Sequence, residues 1–225
     1  MRELGELVRR SRLLVFDFDG TLVDSNPIKR RAFEACFAPF QEHRDAILSY
    51  CVQHHHTPRQ EKFRYVYERI LGRAYTQEAA ARLQERFEAH TTRQIIEAPE
   101  IPGAARFLQR VSGLCETALL SSTPDGVLRE IVLQRRWAPY FGEIQGAPVD
   151  KTAWLEVARR ARGLPDGRAI VCFGDTQEDA EAAEAAGCPF VLVGKDGGDG
   201  MDTIPDFLSL MVEDAAEPFS ASRSG

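Results

Sequence analysis

Two carboxylates one residue apart, Asp17 and Asp19, close the apolar run Leu13-Leu14-Val15-Phe16 and precede Gly20-Thr21. Four consecutive apolar residues suit a strand buried on both faces, as in a parallel sheet. The carboxylates then stand at the carboxyl end of that strand, the edge at which open parallel sheets bind ligands. Helix capping would account for one Asp here, whereas Asp17, Asp19 and Asp24 all flank the Gly-Thr turn. Three more polar clusters follow predicted strands or open a predicted helix: Ser121-Ser122-Thr123 after Leu119-Leu120, Lys151 after Val149-Asp150, and Gly174-Asp175-Thr176-Gln177-Glu178-Asp179 after Ile170 to Phe173. If the strands are parallel, these groups meet on one rim despite their separation in sequence. Carboxylates gathered this closely repel one another unless a cation joins them, and an all-oxygen donor set suits magnesium. Magnesium beside a free carboxylate points to chemistry on phosphate, because the metal neutralises the phosphoryl oxygens and lets one anion attack another. The hydroxyls and backbone N–H groups at Ser121-Ser122 could hold a phosphoryl oxygen, and Lys151 could balance the remaining charge.

The elements that must position these groups can be read from periodicity. A short charged helix over residues 2–10 leads into the first strand. Ser25-Asn26-Pro27 offers a helix start with Asn26 as cap and Pro27 at the first helical position. Residues 28–37, 41–53, 59–71 and 77–96 carry apolar residues at helical spacing, with no strand pattern between them. From Ile101-Pro102-Gly103 onward the pattern alternates: helix 104–111, strand 117–120, helix 126–135, strand 142–145, helix 152–162, strand 169–173, helix 178–186, strand 190–193. The expected fold is therefore α/β, a Rossmann-like parallel sheet core with an inserted all-helical cap. The expected boundaries are 1–24 and 97–214 for the core, 25–96 for the cap, and a frayed tail over 215–225. The Gly-rich run Gly194 to Gly200 lacks the Lys-Ser/Thr helix start of a phosphate-binding loop and reads as a surface loop.

Composition bounds the function classes. A net charge of -6 over 225 residues disfavours nucleic acid and anionic membrane as partners. No apolar run approaches a membrane span, and the charged Met1 to Glu6 segment lacks a signal-peptide core. Cytoplasm is the expected location, as a monomer or homodimer. The five cysteines are scattered without a Cys-x-x-Cys pair and read as reduced, mostly buried side chains.

Asp17-x-Asp19-Gly20-Thr21, Ser121 after an apolar strand, Lys151, and Gly174-Asp175-x-x-x-Asp179 resemble, in order and spacing, the four motifs of the haloacid dehalogenase superfamily, phosphatase type. The helical insertion falls where that family places its small cap, as in its phosphoglycolate phosphatases. The resemblance implies Asp17 as the nucleophile that forms an aspartyl-phosphate. It implies Asp19 as general acid and then base, Ser121 as a phosphoryl ligand, and Lys151 as the cation that orients Asp17. It further implies Mg2+ held by Asp17, the Asp19 backbone carbonyl and Asp175, with Asp179 in support. The superfamily's dehalogenases lack an acid at the position of Asp19, which argues against carbon–halogen cleavage. Taken singly, each residue has a plainer role: Lys151 as an exposed first-turn lysine, Ser121 as a turn former, Asp175 to Asp179 as acids favoured at a helix start.

The expected substrate is a small phosphorylated metabolite, a sugar phosphate or a phosphoglycolate-like compound. A sugar phosphomutase of the same fold and a non-catalytic phospholigand-binding regulator are the alternatives. Within the cap, Arg59 and Lys62 lie three apart on one predicted helix face and are candidate substrate contacts, with ordinary solvated charge as the alternative. Ser122 is a further candidate. His54-His55-His56 is not a metal motif, since neighbours on a helix point about 100 degrees apart. His56 and Asn26 are secondary candidates for substrate contact.

Overall fold

The computed structural model describes residues 2–54, 57, 59–194 and 201–211. His55, His56, the 195–200 stretch and the tail expected over 215–225 lie outside the described residues. The elements run α1 (Arg2–Arg10), β1 (Leu13–Phe16), α2 (Asn26–Cys36), α3 (Arg44–Gln53), α4 (Arg59–Tyr65), α5 (Gln77–Glu97), α6 (Ala104–Val111), β2 (Glu116–Pro124), α7 (Asp125–Gln134), β3 (Glu143–Ala147), α8 (Lys151–Ala161), β4 (Ile170–Gly174), α9 (Gln177–Ala185), β5 (Phe190–Val193) and β6 (Asp202–Ile204). They fall into two compact units, Met1–Asp24 with Pro99–Gly225, and Ser25–Ala98.

Among the described residues, all six strands belong to one parallel sheet in the order β3-β2-β1-β4-β5-β6. The strand order therefore reverses between β1 and β4, the switch point at which such sheets open a ligand crevice. Phe16 pairs with Leu119 on one side and Phe173 on the other, so the polar residues that follow each strand emerge level with one another. β1 is buried along its whole length, which explains why its sequence shows no polar alternation. Its odd residues Leu13 and Val15 join Ala118, Leu120, Ile170 and Cys172 against Leu155 and Ala158 of α8 and Ala183 of α9. On the other face, Phe16 stacks on Phe173 with centroids 4.9 Å apart. Phe107 of α6, Phe141 and Phe207 complete that aromatic cluster.

The helical unit closes around its own core of Phe33, Phe37, Ile47, Phe63, Val66, Leu83 and Phe87. Phe33 and Phe63 stack at 5.2 Å. α5 starts at Thr76, whose hydroxyl accepts the Ala79 N–H at 3.2 Å.

Several local expectations need correction. The helix expected over 59–71 stops being α-helical at Tyr65 and continues as a π-turn, Val66–Ile70, in which the Leu71 N–H reaches the Val66 carbonyl at 2.9 Å. The extra residue keeps Val66 in the core while Tyr67 still packs against it. Asn26 opens α2 as a helical residue, and Ser25 holds the cap position. The segment expected to start a helix at Gln41 begins as a 3-10 turn, Gln41–His43. β6 has no expected counterpart, because three residues carry too little periodicity to register.

Cys36, Cys51, Cys115, Cys172 and Cys188 are all free thiols. Burial pushes Cys36 and Cys115 up to about 11 and Cys51 up to about 12. At pH 8 these thiols are thiolate in roughly one part in a thousand or less, so iodoacetamide should label them slowly in the native protein and quickly in urea, as peptide mass spectrometry would read. Phe16 is fully buried beneath four aromatic neighbours. Phe16→Ala should therefore lower unfolding stability by about 3–5 kcal/mol in urea titration.

Candidate active site

Asp17 is the first residue beyond β1, and its N–H donates to the Phe173 carbonyl at 2.8 Å, extending the β1–β4 ladder by one residue. That bond places the carboxylate at the rim. Gly20, at φ 86, then turns the chain in a backbone region that disfavours side chains. The N–H groups of Leu22 and Val23 both reach the Phe18 carbonyl, at 3.0 and 3.1 Å. Phe18 and Leu22 are fully buried, and this tight turn holds Asp19 inward at 8% exposure.

Lys151 opens α8, where Asp150 caps the helix by accepting the Ala153 N–H at 2.9 Å. Its side chain is only 12% exposed, and its ammonium donates to Asp17 Oδ1 at 2.8 Å and to Asp179 Oδ1. The exposed first-turn alternative is thereby excluded. Burial alone would weaken Lys151's hold on its proton, but Asp17 and Asp179 outweigh it and raise the lysine above its ordinary value. Asp17 shows the opposing balance. Burial pushes its carboxyl well above the usual range, Lys151 pulls it down, and Asp179, Asp175 and Asp19 repel its charge.

Asp179 is fixed by a capping box at the start of α9. Its Oδ2 accepts the Thr176 N–H at 3.2 Å and the Thr176 hydroxyl at 2.5 Å, while the Thr176 Oγ1 accepts the Asp179 N–H at 3.2 Å. Gly174 makes room for this arrangement: a Cβ there would lie 2.5 Å from Asp179 Cβ. Asp175 accepts from the Thr21 hydroxyl at 3.4 Å. Among the described residues, Asp17, Asp175 and Asp179 form a trio in which one carboxylate oxygen from each lies within 4.8 Å of the other two. Hard oxygen donors crowded around a carboxyl destabilised by like charge fit a divalent cation such as magnesium.

β2 runs past the expected end at Leu120 to Pro124, so the hydroxyl cluster sits in extended backbone. Ser121 and Thr123 are buried and share a side, while Ser122 between them is exposed, as strand alternation requires. Ser121 Oγ lies 3.4 Å from Asp19 Oδ2, and the Thr123 hydroxyl donates to the same oxygen at 2.7 Å. Thr123, which the sequence reading did not nominate, reaches Asp19; a two-residue period applied from Ser121 would have found it. Arg59 and Lys62 lie in the helical unit. The Arg59 guanidinium donates to Gln84 at 2.9 Å and stands 4.5 Å over the Phe87 ring. Lys62 is half-buried, and burial, with Lys29 adding to it and Cys51 opposing it, lowers its ammonium below the ordinary value.

A sequence model of the haloacid dehalogenase-like hydrolases matches residues 12–187. No curated protein matches the chain by sequence. Among solved structures, a Haemophilus somnus 129pt protein described as a predicted phosphoglycolate phosphatase is similar at 18% identity and TM-score 0.68, covering 91% of this chain and 98% of that one. CbbY from Rhodobacter sphaeroides, in complex with phosphate, is similar at 18% identity and TM-score 0.68, covering 89% of this chain and 96% of that one. The magnesium-bound Bacillus subtilis protein YfnB is similar at 14% identity and TM-score 0.65, covering 91% of this chain and 98% of that one. At these identities the likeness is one of fold.

The fit of Gly174 against Asp179 can be tested by stability. Gly174→Ala should displace Asp179 and cost about 2–4 kcal/mol in urea unfolding. Gly126→Ala, in α7 with open space around its Cβ position, should instead stabilise by about 0.5–1 kcal/mol.

Proposed function

Because the chain belongs to the haloacid dehalogenase-like hydrolases, we propose that it is a magnesium-dependent phosphatase acting on a small phosphorylated metabolite, a sugar phosphate or a phosphoglycolate-like compound. The observation that carries this reading is the buried Asp17 carboxylate, gripped by Lys151 at 2.8 Å and set among Asp175, Asp179 and Asp19. Asp17 attacks phosphorus in line as the bond to the leaving oxygen breaks, forming an aspartyl-phosphate. Asp19 gives its proton to that leaving oxygen. It then takes a proton from the water that cleaves the aspartyl-phosphate, which restores Asp17 and frees inorganic phosphate. Ser121 holds a phosphoryl oxygen, and Lys151 screens charge and orients the Asp17 carboxylate.

Asp17, the Asp19 backbone carbonyl and Asp175 would hold the magnesium, with Asp179 in support. When bound, the metal offsets the phosphoryl charge that would repel an anionic nucleophile. The phosphate-bound and magnesium-bound structures of similar fold are consistent with this reading. An acid at Asp19 favours phosphoryl over carbon–halogen chemistry, since a leaving halide needs no proton. The free thiols are compatible with a reducing, cytoplasmic setting.

The helical unit is the cap of this reading and selects the leaving group. Between its two candidate cations, Arg59 is engaged by Gln84 and Phe87 and serves packing. Lys62, whose charge is disfavoured by burial and Lys29 and supported by Cys51, is assigned in this reading to an anionic group of the substrate.

With magnesium present, the protein should release phosphate from p-nitrophenyl phosphate and from members of a metabolite panel. EDTA or Asp17→Asn should reduce release by at least ~1000-fold. Absence of turnover across the panel, or retained activity in Asp17→Asn, would rule the reading out. On the best panel substrate, Lys62→Ala should raise KM with kcat little changed, while Arg59→Ala should act mainly on melting temperature.

A further inference from the structure

Thr123 is bound more closely to Asp19 than any role assigned so far explains. The two residues are each 8% exposed, and the 2.7 Å O–H···O distance is the preferred one for such a bond. Ser121, at 3.4 Å from the same Asp19 oxygen, is beyond good hydrogen-bond range. Ser121 Oγ instead accepts the Thr123 N–H at 3.1 Å, which ties the two hydroxyl residues into one rigid step. That step lies where the β2–β3 register shifts, between Leu120 and Pro124. Strand alternation puts residues 121 and 123 on one side, where both address Asp19.

We propose that Thr123 is the positioning residue for the Asp19 carboxyl group, its hydroxyl fixing Oδ2 so that Oδ1 carries the proton delivered to the leaving group. The carbonyl oxygen of a protonated carboxyl is the better acceptor, so a hydroxyl that donates to Oδ2 favours the form with the acid's proton on Oδ1. In the first step the Asp17–phosphorus bond forms, and the bond from phosphorus to the leaving oxygen breaks with its electron pair passing to that oxygen. The oxygen takes the proton from Asp19 Oδ1, leaving Asp19 ionised. In the second step water adds to phosphorus, the bond to Asp17 breaks, and Asp19 recovers a proton from the water. Ser121 is thus left to the phosphoryl group, and the division of labour between two hydroxyls two residues apart follows from their distances.

The inference rests on the phosphatase reading, and leaving-group dependence separates the two. Proton delivery matters little when the leaving group is p-nitrophenolate, a stable anion, and more as the leaving oxygen becomes more basic. Across p-nitrophenyl, phenyl and p-methoxyphenyl phosphate with magnesium, Thr123→Val should lose about tenfold or more in kcat/KM on the p-methoxyphenyl ester. The loss on p-nitrophenyl phosphate should stay below about threefold. Thr123→Ser should restore the wild-type slope, and Thr123→Ala should reproduce that of Thr123→Val, so that the result does not depend on one variant folding. An equal loss on all three esters, or a serine variant no better than valine, would overturn the positioning role while leaving the phosphatase reading intact. A wild-type protein inactive on all three would overturn the phosphatase reading and this inference with it.

Discussion

One buried ammonium between two carboxylates sets the terms for the rest of the core unit. Lys151 reaches Asp17 from α8 and Asp179 from α9, and all three side chains are nearly out of solvent. Asp17 without its cation would be a buried charge facing three other acids. Removing one partner of such a buried pair typically costs about 3–5 kcal/mol, because the survivor's charge stays desolvated. The same crowding keeps Asp17 high in energy as an anion, which is the condition under which a divalent cation or a phosphoryl group is welcome there. Stability and reactivity thus draw on a single electrostatic arrangement.

The sheet exists in a form that makes this arrangement possible. Parallel pairing of β1 with β2 and β4 aligns Phe16 with Leu119 and Phe173, so three strands release their polar residues at one level. Aromatic packing beneath, with Phe16 stacked on Phe173, stiffens the floor on which Asp17 stands. Two glycines then perform distinct tasks: Gly20 turns the chain at positive φ, and Gly174 yields its side-chain space to Asp179. The hydroxyl pair on β2 adds a second, neutral network, in which strand alternation turns Ser121 and Thr123 towards Asp19.

The helical unit illustrates a different economy of charge. Arg59 lies over Phe87 and bonds Gln84, so its guanidinium covers the unit's own aromatic core. A helical spacing of three placed Arg59 beside Lys62 in the linear reading, but spacing cannot tell whether a cation meets a ring or solvent. The π-turn at Val66–Ile70 is similar, since it arises from packing and has no signature in the apolar pattern of residues 59–71.

Much of the core was legible because its determinants are local. A four-residue apolar run ending in Asp-x-Asp-Gly, polar clusters after later strands, and alternating helix and strand periods specify a parallel sheet and nominate Asp17, Asp19, Ser121, Lys151, Asp175 and Asp179. Residue types at strand ends survive in the one-dimensional record because each needs only its own strand and turn to be placed. What tertiary structure alone decided was distance and competition between groups far apart in the chain. Lys151 pairs with both Asp17 and Asp179 across 134 and 28 residues, Thr123 rather than Ser122 reaches Asp19 across 104, and Gly174 is required by a side chain five residues on. Those outcomes depend on strand register and on where each carboxylate's charge is offset, and neither quantity exists until the sheet has formed.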